Sequence, residues 1–496
     1  MKKKVLFILV DSLMPQLLEH ALDKRLVPGF EFLTQHGTYS NDVVTVFPTM
    51  TASIDTSMIT GVYPHEHGVP GLVWYDSEKK KIINYINGAK CVAKIGIKDC
   101  AKNVVFDLNE DHMSKNVETI FEALATEGLS SGSINLVAHR GTSTHQVKLP
   151  TLVKSLGCLK GDSTVPGPNI MTLGQLVYPE TLQSYVKQSS SASPLQRYGV
   201  NDTFATEVCK KLIQEDQLPD FTMLYLPDHD HQVHIKGPQH AEHSLVKVDQ
   251  YIQQILSAFG SWEKAREQVT FIITSDHGQT FVGKQNVYNI DLDKVLNRLN
   301  IPPLGSPVDE THQLVVCNNE RMAYLYPLKQ DVEQKVIDTL KEESRIDILA
   351  WKEKDTVHIL QPGSERRLQY KMNGPQTDTY GQKWELKGDL KILDLDVTDD
   401  GKINYGDYPD VCSRLYGALF SQDCPLMVVT SRPGYEFKSR YFPTHNGGGS
   451  HGSLHLNDST IPFIVSEKLE KKQLPKRLVE FKSFFLDMLH RKVHHK

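Results

Sequence analysis

The chain has 496 residues, 39% of them hydrophobic and 23% charged, with a formal net charge of −5. That length exceeds one ordinary compact domain, so a large core with an inserted or appended unit is expected. The charge excludes a basic nucleic-acid footprint but not a phosphate substrate, because a metal site can supply positive charge locally.

The opening MKKKVLFILVDSL imitates a secretory leader, but Asp11 interrupts the apolar run after six residues and no small-residue cleavage site follows. A buried first strand is the better reading. No stretch approaches the length of a membrane span. Seven cysteines, an odd number without a CxxC pair, argue against a disulfide framework and give a cytoplasmic address as the expectation.

Short runs rich in Val, Ile and Leu follow one another as strands buried on both faces: VLFILV (5–10), SINLVA (133–138), FTMLYL (221–226), VTFIIT (269–274) and LMVVT (426–430). Between them, NVETIFEALATEG (116–128) and HSLVKVDQYIQQILSAFG (243–260) carry apolar residues at helical spacing and stop at glycine. Strands alternating with helices define an α/β fold with a mainly parallel central sheet and helices on both faces. The lysine-rich stretch 75–110 suggests a hairpin near the site mouth, and SSSASP (189–194) a flexible loop.

From about 300 to 410 the rhythm breaks. A helix-like DVEQKVIDTLKEES gives way to strand-like DTVHILQP, RRLQYKMN and LKILDLD, so this segment is an inserted α+β cap. The expected division is a core from 1–300, a cap over 301–410 and the rest of the core in 411–496. Within the cap, DVTDDGKINYGD (396–407) matches much of a calcium loop through Asp396, Asp400, Gly401, Asn404 and Asp407. Thr398 breaks the pattern, and no helix enters it, so a hairpin around the DDG turn is favoured. The basic, amphipathic C-terminal PKRLVEFKSFFLDMLHRKVHHK is expected to close the core as a helix rather than lie on a membrane.

Ligands of parallel sheets lie at the carboxyl ends of the strands. VLFILV ends in Asp11, FTMLYL in PDHDHQVHIKGP (227–238), and VTFIIT in Ser275-Asp276-His277-Gly278, as one shared site requires. The stretch VTVFPTMTASIDTSMITGVYPHEHGVPG (44–71) leads a Thr/Ser-rich turn into a helix. Its free N–H groups suit a phosphoryl oxygen, and a threonine there becomes a nucleophile if its pKa is lowered.

Asp11, PTMT…TGVYP…HG, Asp230-x-x-x-His234-x-x-Gly-Pro, Asp276-His277-Gly278 and His451-Gly452 resemble, in this order, the motifs of the alkaline phosphatase superfamily. The type I phosphodiesterase/nucleotide pyrophosphatase branch is the most similar. The likeness covers roughly 1–285 and 420–470. It implies an alkaline-phosphatase-like fold and two divalent ions, zinc by the usual pattern, with manganese or iron also compatible. Asp11, Thr51, Asp276 and His277 would hold one; Asp230, His234 and His451 the other. It also implies Thr51 as the nucleophile that forms a phosphothreonine, with Thr49 as the fallback. Asp228, His229 and His231 are left as supporting, substrate-facing or exposed groups. Where the family's diesterases carry an asparagine that contacts phosphate, this chain has Leu72, and backbone N–H groups near Thr51 or a side chain such as Arg140 or Lys236 are candidate substitutes.

The expected function is therefore cleavage of a small phosphate ester or nucleotide, with diesters or pyrophosphates first. A phosphomonoesterase and a phosphonoacetate-hydrolase-like C–P hydrolase are the enzymatic alternatives. A metal-bound protein that only binds phosphoryl ligands is the non-enzymatic one. Oligomeric state is not encoded in any motif.

Overall fold

In the computed structural model, residues 3–148 and 163–491 are described. A seven-stranded sheet carries the core. Its spatial order is Thr38–Val44, Thr460–Val465, Val269–Thr274, Lys4–Val10, Phe221–Leu226, Ser131–Ile134 and Ile170–Thr172. The last five pair in parallel. Thr460–Val465 runs antiparallel to both its neighbours.

The Lys4–Val10 strand shows why this sheet is buried on both faces. Val5, Phe7 and Leu9 point into one apolar cluster, with the helices Thr51–Thr60, Ile120–Thr126 and Phe481–His490. Leu6, Ile8 and Val10 point into the other, with Pro15–Asp23, Asp202–Gln214 and Glu242–Ser257. Continuous apolar runs are what a doubly covered parallel strand requires. The C-terminal helix closes the first face as expected, with the Phe485 and Phe7 ring centroids 4.9 Å apart.

A second, nine-stranded sheet occupies much of the segment read as a cap. One reading changes here. The 426–430 run is a strand, Met427–Ser431, but it lies in this second sheet and not in the parallel one. It is antiparallel to Met322–Pro327 on one side and to Ile346–Glu353 on the other. Met427 and Val429 face one cluster and Val428 the opposite one, so this strand too is covered on both faces. Periodicity alone does not tell which sheet such a run joins.

Smaller expectations fall as follows. The 75–110 stretch begins in a hairpin, Val73–Asp76 with Lys81–Asn84, and continues as helices. SSSASP contains a short 3-10 turn, Ser190–Ala192. The calcium-like stretch is a hairpin in which Leu395–Val397 pairs with Lys402–Tyr405. Gly401 takes the left-handed conformation of its turn (φ 80°) and donates its N–H to Thr398 O at 2.8 Å.

Candidate metal centre at the strand ends

Three adjacent strands bring their carboxyl ends to one level. In register, Leu9 lies beside Thr274 and Val10 beside Leu226, so Asp11 emerges level with the Ser275–Asp276 turn and with Pro227, which precedes the helix Asp228–Lys236. Asp11, Asp276 and His277 converge there with ligand atoms within 4.8 Å of one another. His277 Nε2 is 3.6 Å from Asp11 and 3.4 Å from Asp276. Asp11 Oδ1, Asp276 Oδ2 and His277 Nε2 are buried without a hydrogen-bond partner among the described residues. Buried polar atoms are normally satisfied, so three orphans facing one point fit a cation. Burial, with Asp276 and Asp230 nearby, pushes the Asp11 carboxyl well above its ordinary range, a strain that positive charge would relieve.

Beside this group lies a second. Asp230 and His234, four residues apart on one helix face, approach to 3.3 Å. Asp230, His277 and His451 also form a set within 4.8 Å, and the His277 and His451 rings stack at 3.7 Å. His234 Nδ1 is hydrogen-bonded to Gly449 O at 2.8 Å and His451 Nδ1 to Thr49 O at 2.5 Å. Both rings therefore turn Nε2 inward, the tautomer a metal ligand needs. Although burial opposes both shifts, the protonated His234 ring holds Asp230 well below the usual carboxylate range, and Asp230 with Glu320 lifts His234 to about 10, the proton a metal would displace. Burial pushes His451 down to about 4, keeping it neutral.

The glycine run before His451 has a steric reason. A Cβ at Gly448 would sit 1.8 Å from His234 O, and one at Gly449 2.2 Å from Gln279 Oε1, so these two positions can lie against the Asp228–Lys236 helix only as glycine. The short strand Gly449–Ser450 then pairs with Thr280–Phe281, just after His277.

Thr51 is the first residue of its helix and is partly exposed. The segment before it is tied to His451 through Thr49 O. Asp55, one turn into the helix, is buried and interacts electrostatically with Asp276. Thr49 itself is fully buried, and its Oγ1 accepts the Gly452 N–H at 2.6 Å.

Of the other residues singled out, Asp228 is ion-paired with Arg197, and His229 is buried against Ser244 at 2.8 Å. His231 is exposed. The Arg140 guanidinium is consumed by Glu122 and by the carbonyls of Met113, Ser114 and Val117, so it does not serve as a phosphate contact. Lys236 is exposed and lines a different cavity, of 430 Å³, with Arg197, His243 and Lys247. Leu72 packs against the first apolar cluster.

Sequence reasoning missed four participants. Ser12 Oγ donates to Asp230 Oδ1 at 2.7 Å, and Gln279 Nε2 does so at 2.6 Å. Both stand directly after motif residues, which is the one signal that would have found them. Glu320 and His445 approach His234 from the second sheet and the glycine-rich loop, and with it form a third set of potential ligands within 4.8 Å.

An α/β sheet whose strand ends gather carboxylates and imidazoles into candidate metal sites is the layout of a metal-dependent hydrolase. The chain belongs to the type I phosphodiesterase / nucleotide pyrophosphatase family, whose model matches residues 5–454. It is accordingly an enzyme, a metal-dependent hydrolase of phosphoric-ester or pyrophosphate bonds. No curated protein sequence matches the chain. Among solved structures, murine ectonucleotide pyrophosphatase/phosphodiesterase 5 is similar at a TM-score of 0.57 and 14% identity, over 99% of this chain and 96% of that one. An inactive variant of that murine protein in complex with AMP gives 0.56 and 14%, over 100% and 96%. Phosphonoacetate hydrolase from Sinorhizobium meliloti 1021, in complex with phosphonoformate, gives 0.56 and 14%, over 98% and 96%. At this identity these likenesses establish the fold.

Proposed function

We propose that the chain cleaves phosphodiesters or pyrophosphates of nucleotide type through a covalent phosphothreonine on Thr51. The observation that supports it best is the convergence of Asp11, Asp276 and His277 with Asp230, His234 and His451 beside the helix that Thr51 opens. Asp11, Thr51, Asp276 and His277 would hold one divalent ion and Asp230, His234 and His451 the other. Nitrogen and carboxylate donors without thiolate suit zinc, with manganese and iron also compatible. When bound, such ions supply Lewis-acid charge stabilisation and lower the pKa of oxygen nucleophiles.

Thr51 Oγ1 gives up its proton and attacks phosphorus; its bond to phosphorus forms as the bond to the alcohol or nucleotide oxygen breaks, and that oxygen takes up a proton as it leaves. Water then attacks the phosphothreonine, its oxygen going to phosphorus and a proton to Thr51 Oγ1, which frees Thr51 and phosphate or its monoester. The N–H groups at the start of the Thr51–Thr60 helix face developing negative charge on the phosphoryl oxygens. Of the two threonines, Thr51 is the nucleophile in this reading because the Thr49 hydroxyl is already engaged by Gly452. Asp228, which accepts from Asp202 N, and His229, bonded to Ser244, anchor the ligand helix to its neighbours.

Leu72 carries a second reading. Packed against the first apolar cluster, Leu72 does not make the phosphate contact that the asparagine of the family's diesterases makes, so the diester choice lacks that support and a phosphomonoester or a phosphonate is the alternative substrate. Rates on bis-p-nitrophenyl phosphate, p-nitrophenyl phosphate and phosphonoacetate separate the three. Faster diester cleavage is expected, and a strong preference for the monoester or the phosphonate overturns the first choice. A cytoplasmic location belongs to the same proposal. The six cysteines among the described residues are unpaired, which suits a reducing compartment. Among the described residues no helix is long and apolar enough to cross a membrane.

A further inference from the structure

We propose that Glu320, delivered by a hairpin of the second sheet, is a fourth protein ligand to the metal held by Asp230, His234 and His451. The inference rests on the two-metal reading above and deepens it. Glu320 lies between the strands Leu314–Asn319 and Met322–Pro327, in the two-residue loop Glu320-Arg321. Its carboxylate is buried, with Oε1 4.0 Å from His234 Nε2 and Oε2 3.7 Å from His451 Nε2. Those are the two ring nitrogens left free by the bonds of His234 Nδ1 to Gly449 O and of His451 Nδ1 to Thr49 O. The carboxylate thus reaches toward both imidazoles, one oxygen to each, and lies in one potential ligand set with His234, which itself approaches Asp230 to 3.3 Å.

The backbone gives a second, independent observation. Glu320 has φ 62°, in the left-handed region that hairpin loops ordinarily fill with Gly, Asn or Asp. A glutamate there is strained, and such strain persists where the surroundings over-determine it. They do: Arg321 N donates to His451 O at 2.9 Å, Phe437 N to Glu320 O at 2.8 Å, and Ser450 Oγ to Glu320 Oε2 at 2.9 Å. His445, whose Nδ1 is 3.0 Å from Glu436, packs against His234 at 4.3 Å between ring centroids and closes the far side. A carboxylate held in a disfavoured turn and aimed at two inward nitrogens is a metal ligand by geometry and by chemistry.

The test compares the full chain with Glu320→Gln and Glu320→Gly. Glycine suits the positive φ, so Glu320→Gly keeps the turn even where Glu320→Gln folds poorly. Zn2+ affinity and stoichiometry are read by competition with a chromophoric chelator, and the d–d spectrum of the Co2+ form reports ligand number. Wild type is expected to bind two ions. Both variants should keep one site unchanged, lose about 10- to 100-fold in affinity at the other, and alter the Co2+ bands. A wild type with two ions, alongside variants of unaltered affinity and spectrum, overturns this inference alone. A wild type that binds no ion overturns it together with the two-metal reading.

Discussion

Arg321 Nη1 lies 2.5 Å from Asp458 Oδ1, with both side chains completely excluded from solvent. Arg321 comes from the second sheet's hairpin and Asp458 from the short helix Leu456–Ser459 before the last strand of the central sheet. The same carboxylate accepts from Thr280 Oγ1 at 2.6 Å and from Ser453 N at 2.9 Å. One buried pair therefore fixes the loop bearing His451 to the strand after His277 and to the second sheet. Removing one partner leaves an uncompensated buried charge, which costs about 3–5 kcal/mol. Arg321→Met should lower the melting temperature sharply and weaken metal binding in parallel. A variant with wild-type melting and metal affinity would show that the pair is not the clamp.

Thr51 and Thr49 should fail in different ways. Thr51→Ala is expected to keep fold and metal while losing turnover by about a thousandfold or more, the scale on which covalent and electrostatic contributions act. Thr49→Ala removes the acceptor of the Gly452 N–H and should cost about 1–3 kcal/mol of stability, with activity falling only as His451 shifts. Thermal melts run beside steady-state assays distinguish them. Near-normal turnover in Thr51→Ala would move the nucleophile elsewhere.

Chelation should destabilise as well as inactivate. Asp11, Asp230 and Asp276 face one another, and a bound cation would offset their mutual repulsion. A ligand at a thousand times its Kd adds about 4 kcal/mol of stability. The expected outcome is a fall of several degrees in melting temperature with EDTA and full recovery on adding Zn2+ or Mn2+. Calorimetry with and without chelator decides it.

Acid should unfold the chain through histidines outside the metal centre. His67 accepts from Val69 N at its Nδ1 and bonds Ser57 Oγ through Nε2 at 2.8 Å, an arrangement that needs a neutral ring. Burial pushes His67 down to about 3, and His139 and His229 down to about 4. Between their ordinary value of 6.5 and those values the unfolded chain binds more protons than the folded one. Stability therefore falls as pH drops through that window, by about 1.4 kcal/mol per unit of depression per group. Buried carboxylates raised above their ordinary range, Asp202 to about 7 and Asp410 to about 6, act in the opposite sense, so the histidine contribution is read as a difference. From pH 7 to 4 the metal-free wild type should lose melting temperature relative to metal-free His139→Gln.

Asp11, Asp230, His234, Asp276, His277 and His451 were legible because each stands at a strand end or in a short motif with fixed spacing. The sequence by itself determined the doubly covered strands at 5–10, 221–226 and 269–274, the hairpin at 396–407 and the closing C-terminal helix, whereas the run read at 133–138 is a strand only as Ser131–Ile134. Each follows from local periodicity or turn chemistry, which neighbouring residues specify. Tertiary structure alone decided that Met427–Ser431 joins the second sheet, because a strand buried on both faces carries the same apolar run in either place. It alone brought Glu320 beside His234 and His451, 131 residues from the latter along the chain. No pattern around a glutamate between two strands records which distant imidazoles it will face, since that contact is set by how two sheets dock.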